Sequence, residues 1–114
     1  MLVKRFHEAN PYEAPNHFAC KALRLQGFES GGPDGFWVGL SHFLPGGGAG
    51  PDSSPLEKVY VVLAGTINVK ADGQDVELGP MDSCTIGPNI ERQITNKTNS
   101  VATMLVVMPY PGEK

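Results

Sequence analysis

The chain has 114 residues, 12 acidic and nine basic side chains, and a net charge of −3. That is one small domain, 1–114, able to bury a core unaided; it has no block of like charge to attract nucleic acid and no apolar run of the ~20 residues that cross a membrane. Fourteen glycines and ten prolines in so short a chain predict frequent turns, and therefore an all-β fold.

In chain order, Pro11 and Pro15 keep residues 1–16 from forming a helix, and Leu2-Val3 predicts a short edge strand. No apolar segment of signal length opens the chain, so the expected location is the cytoplasm. Residues 19–26 end in alternation, with Leu23 and Leu25 on one face and Arg24 and Gln26 on the other, which predicts a half-buried strand. A turn region follows from Gly27 to Gly35, then a strand from Phe36 to Leu44 that Pro45 and three glycines are expected to stop.

Lys58 to Leu63 is β-branched or aromatic in its second half and is bounded by breakers. Ile67, Val69 and Ala71 alternate with polar residues, and Asp72-Gly73 is a hairpin turn signal leading into Gln74–Leu78. Gly79-Pro80 and Gly87-Pro88-Asn89 bracket a short strand, Ser83–Ile86, and the last two strands are Arg92–Thr95 and Val101–Met108. About eight to ten short strands with no helical period predict a β-sandwich or a jelly-roll barrel. Cys20 and Cys84 sit far apart in apolar runs and read as buried free thiols. Trp37 reads as core or dimer interface. Pro45-Gly46-Gly47-Gly48 lacks the Gly-Lys-Ser/Thr ending of a phosphate loop.

The stretch Gly46–Gly65 has a distinctive spacing. Five residues separate Gly46 from Asp52, one lies between Asp52 and Ser54, three precede Lys58, and six precede Gly65. This resembles the first motif of the cupin superfamily, glycine, five residues, His-x-His, three or four residues, Glu, six residues, glycine. The second motif aligns over Met81–Asn96: Asn96 matches, Arg92 takes the histidine position, and Met81, Gly87 and Asn89 replace the glycine, proline and glycine. The fifteen-residue gap, 66–80, is similar to that of compact bacterial members. The resemblance implies a double-stranded β-helix and a homodimer paired through the N-terminal strands, here Leu2–Phe6 and Cys20–Leu25.

The resemblance also places Asp52, Ser54, Lys58 and Arg92 where the family holds a metal. Lysine and arginine offer no lone pair at neutral pH, so no metal or other cofactor is expected. Two cations in one pocket suit an anion instead. Arg92 can grip a carboxylate at two points, with Asp52, Ser54 and Asn96 as further binding residues. Lys58, desolvated beside another cation, can act as a base or form an imine, and Tyr60 or His42 can move protons.

The expected function is a metal-independent lyase, isomerase, tautomerase or decarboxylase acting on a small organic acid or sugar acid. Alternatively, the cavity is a non-catalytic anion receptor. The bland readings are an ion cluster of Lys58 and Arg92 with Asp52, or a one-residue slip that turns Glu57 and Glu91 inward. His7 and His17 read as solvated, and a dioxygenase built on His7, His17 and His42 finds no ligand spacing to support it.

Overall fold

The computed structural model describes residues 1–112. Nine strands form: β1 (Asn10–Tyr12), β2 (His17–Gln26), β3 (Phe36–Asp52), β4 (Lys58–Ala64), β5 (Ile67–Ala71), β6 (Gln74–Leu78), β7 (Ser83–Ile86), β8 (Arg92–Thr95) and β9 (Ala102–Pro109). Short 3-10 turns cover Phe6–Glu8 and Phe28–Ser30. Every pairing is antiparallel, in the order β6-β5-β8-β3-β9-β4-β7, with β2 on the other edge of β3 and β1 outside β2. The sheet wraps into a nearly closed jelly-roll barrel, as the strand pattern and the motif spacing predict. Among the described residues no helix is long and apolar enough to cross a membrane.

The strand that organises the barrel is β3. Its first half, Phe36–Phe43, pairs with β9; its second half, Gly48–Asp52, pairs with β8. The glycine run expected to end this strand instead carries it across from one sheet to the other. Glycine is what permits this, because backbone crowds both sides there. A Cβ on Gly48 would strike the Ile94 carbonyl, and one on Gly47 would strike the Ala19 carbonyl.

Strand alternation assigns the faces of β3. Trp37, Ser41 and Phe43 point into the barrel, where Phe43 joins Val62, Ile67 and Ile94 in a fully buried core. Leu40 and His42 point the other way. The turn-bounded strands β6, β7 and β8 keep the predicted limits. Leu2-Val3, predicted as an edge strand, is exposed and outside any strand; β1 takes the edge beside β2 instead. Cys20 and Cys84 are free and half-buried.

Candidate functional site

One end of the barrel opens into a cavity of about 360 Å3, within the size range of small-molecule sites. Its polar wall comes from β4, β8 and the end of β3. Lys58 and Tyr60 have the same parity on β4 and both face inward, 6% and 3% exposed. Arg92 enters from β8 and is 7% exposed. Glu57 and Glu91 are exposed, so the barrel takes the register that turns the cations in and the acids out.

The Arg92 Nε donates to the Tyr60 hydroxyl at 2.9 Å and its Nη1 to the Gly50 carbonyl at 2.9 Å. No hydrogen bond holds Nη2 among the described residues. Lys58 Nζ donates to Ser54 Oγ at 3.4 Å, and Ser54 is itself fixed by the Leu56 backbone. Asp52 lies at the mouth, exposed, and forms no ion pair with either cation among the described residues. The expected alternative of a structural ion cluster is therefore absent.

Burial, then the Arg92 charge, pushes the Lys58 ammonium below its ordinary value; Asp52 offsets this only in part. Burial pushes the Tyr60 phenol up against the opposing influence of Arg92, so Tyr60 stays protonated at neutral pH and is a proton donor rather than a base.

The lowered lysine has a consequence for stability. Below its lowered folded value Lys58 is charged in both folded and unfolded chains, and the folded chain bears the whole burial penalty. As pH rises through the folded value toward the ordinary 10.5, the folded chain sheds its proton first and the penalty shrinks. The Lys58→Met variant should therefore be more stable than the parent at pH 7, and the gap should narrow as pH rises. Urea unfolding of both proteins from pH 7 to 10 measures it; a gap that stays constant or widens would show that Lys58 is not desolvated in solution.

Two expected site residues lie elsewhere. His42 sits on the outer face of β3, where Nδ1 meets Thr103 Oγ1 at 2.9 Å and Phe6 stands edge-on to the ring. It shares a strand with the cavity but has the wrong parity to reach it. Asn96 is fully buried outside the cavity. Its Nδ2 donates to the carbonyls of Phe43 and Ser100, and its Oδ1 accepts from the Thr98 amide and hydroxyl. Its role is structural.

His17, expected to be solvated, instead lines the cavity. Its Nδ1 lies 2.7 Å from the Pro15 carbonyl, its ring stacks on Phe43, and burial holds its pKa down. The opposite wall is aromatic, with Tyr12, Phe28 and Trp37 surrounding Arg24. Burial pushes the Tyr12 phenol up to about 12. No motif marks these residues. They meet because β1, the β1–β2 and β2–β3 connections and the start of β3 all contribute lining to the same cavity.

A protein-family model described as a cupin domain matches residues 39–108. The chain belongs to the cupin family. This cupin is 41% identical over 111 residues to a Mycobacterium tuberculosis protein named β-D-galactosidase Rv1717, covering 97% of this chain and 96% of that one. Its fold is similar to the polyketide cyclase RemF from Streptomyces resistomycificus (TM-score 0.85, 19% identity, 100% of this chain and 82% of the other). It is also similar to an RmlC-like cupin from Shewanella frigidimarina (TM-score 0.79, 15% identity, 97% and 92%). At these identities the two structures speak to the fold alone.

The donor set at the family's metal position does not fit a divalent cation. Of the four side chains, two are buried cations, one is a hydroxyl and one is an exposed carboxylate. Among the described residues no three histidine, cysteine, aspartate or glutamate side chains come together.

Proposed function

We propose that this cupin binds and transforms a small carboxylate-bearing metabolite, of sugar-acid type, without routing the chemistry through a metal. The observation that carries this reading is the pair Lys58 and Arg92, buried in one cavity with no carboxylate among the described residues within ion-pair distance of either. Two desolvated cations without a counter-ion form a site that an anion completes. Arg92 holds the carboxylate through the free edge of its guanidinium. Lys58, biased toward its neutral form, takes a proton from the carbon beside that carboxylate, and Tyr60, held by Arg92, returns one. A lysine whose basicity is lowered by burial and Arg92, and only partly restored by Asp52, favours catalysis over passive anion binding.

The name of the mycobacterial relative supports a sugar as the body of the ligand, and it favours a second reading: hydrolysis of a β-galactoside. The carboxylates available for that are Asp52 and Glu13, both at the cavity mouth.

Calorimetric titration with D-galacturonate and D-galactose separates the two. The anion reading expects the acid to bind and the neutral sugar to bind at least ~10-fold more weakly, with the difference lost in Arg92→Met. Equal binding of both sugars would sink it. Release of nitrophenol from nitrophenyl β-D-galactopyranoside, abolished by Asp52→Asn, would then establish the hydrolase.

A further inference from the structure

Arg24 stands across the cavity from Lys58 and Arg92. In register, Arg24 pairs with Gly39, Gly39 with Val106, and Val106 with Tyr60, so one row crosses four strands beneath the cavity. Three inter-strand steps span roughly 14 Å between backbones before the barrel's curvature shortens them. Long side chains reach in from both ends. In the middle of the row stands Gly39, where a Cβ would press on Trp37 and come 3.1 Å from the Tyr12 hydroxyl. The missing side chain lets Trp37 and Tyr12, the aromatic wall around Arg24, pack directly onto the backbone in the middle of the row.

The Arg24 guanidinium is built into its place. Its Cζ lies 4.2 Å from the Tyr12 ring centroid, 3.8 Å from that of Phe28 and 5.1 Å from that of Trp37. Phe28 reaches it at φ +51°, a strained conformation that a bulky residue seldom adopts. The turn retains it through contacts of the Phe28 ring with Trp37 and Tyr110, and through Gly27, where a Cβ would enter the Trp37 side chain.

Despite this support, Arg24 Nε and Nη1 are shut from solvent and have no hydrogen-bond acceptor among the described residues. Glu29 Oε1 is 3.5 Å from Nε, half exposed, and makes no hydrogen bond to it. Buried donors left open on a cation are expensive, and strain concentrated beside a ligand cavity is a mark of function.

We infer that Arg24 is a second anchor, so that the preferred ligand carries an acidic group at each end, one held by Arg92 and Lys58 and the other by Arg24 within its aromatic wall. This rests on the anion reading above and narrows it to small dicarboxylates, an aldaric acid if the body is a sugar. Arg24 then determines specificity and takes no part in proton transfer.

The test is calorimetric titration of D-galactarate, acidic at both ends, against D-galacturonate, acidic at one. The parent should bind the diacid at least ~10-fold tighter. Arg24→Met should bind both acids alike, with affinity for the monoacid within about twofold of the parent. Arg24→Gln, which keeps a polar side chain without the charge, should do the same and serves if the methionine variant does not fold. Equal affinities in the parent, or a preference that survives in either variant, overturns the second anchor and leaves the first intact. Failure of both acids to bind the parent overturns the Lys58–Arg92 reading and this inference with it.

Discussion

Replacing Arg92 with methionine should weaken carboxylate binding roughly 30-fold to several thousand-fold, the range seen when one partner of a buried charge pair is removed. The same change should leave the melting temperature unchanged or raise it. Arg92 is buried and has no counter-carboxylate, so the folded chain carries its desolvation penalty with only two neutral hydrogen bonds in return. A long apolar side chain fills much the same space without that penalty. Lysine at this position keeps the charge but loses the planar fork, and binding should fall between the two. Opposite movement of affinity and stability is the signature of a site maintained for its ligand. A methionine variant that melts well below the parent yet still binds galacturonate would make Arg92 a structural residue and leave the anion reading without its carboxylate holder.

Asn96→Ala should behave in the opposite way. Asn96 is fully buried, and its amide bonds to Phe43, Thr98 and Ser100 while its own backbone bonds to Gly46 and Gly47. Removing the amide takes the side-chain partner from the Phe43 carbonyl near the bend of β3 and from the Thr98 amide in the loop before β9, while the exposed Ser100 carbonyl keeps the Thr98 hydroxyl. With about 1–3 kcal/mol for each buried group left unpaired, a loss of roughly 2–4 kcal/mol follows. The melting temperature should drop by roughly 10–20 °C. Ligand affinity measured well below the melting point should stay near that of the parent, because Asn96 does not line the cavity. Thermal unfolding followed by circular dichroism, paired with titration, checks both halves; a stable variant that has lost binding would return Asn96 to the site.

Much of the barrel was legible in the sequence because its turns announce themselves. Asp72-Gly73, Gly79-Pro80 and Gly87-Pro88 leave little freedom about where β6 and β7 begin and end. The polar wall was legible in part: a spacing tied to barrel geometry survives even when its chemistry has changed, so Lys58 and Arg92 stood out, but the alternative with Glu57 and Glu91 turned inward differs by a single residue of register that the sequence does not fix. The other wall was not legible. Leu23 and Leu25 mark an apolar face of β2, and an apolar face is normally the inner one. Here the inner face meets a cavity, so Arg24 lies inside while Leu23, 9% exposed, packs on the far side. Periodicity reports which residues alternate; it cannot report which side holds a ligand. His42 failed for a related reason, since nearness to the cavity along β3 says nothing of parity. The glycine run was read as a stop because glycine weakens an isolated strand, whereas crowding by Ile94 and Ala19 makes it the residue that lets β3 continue.

The division of β3 between β9 and β8 also ties the cavity to two separate closures of the chain. Its first half contributes Trp37 and Ser41, and its second half brings Arg92 alongside through β8. A chain that has zipped only Phe36–Phe43 onto β9 has an aromatic wall facing nothing. The pairing of Gly48 with Thr95 closes a loop of nearly fifty residues, and distant closures of this kind are slow steps in β-protein folding. The β3–β9 pairing closes a still longer loop, so the binding cavity depends on two distant closures and is complete only when both halves of β3 are paired.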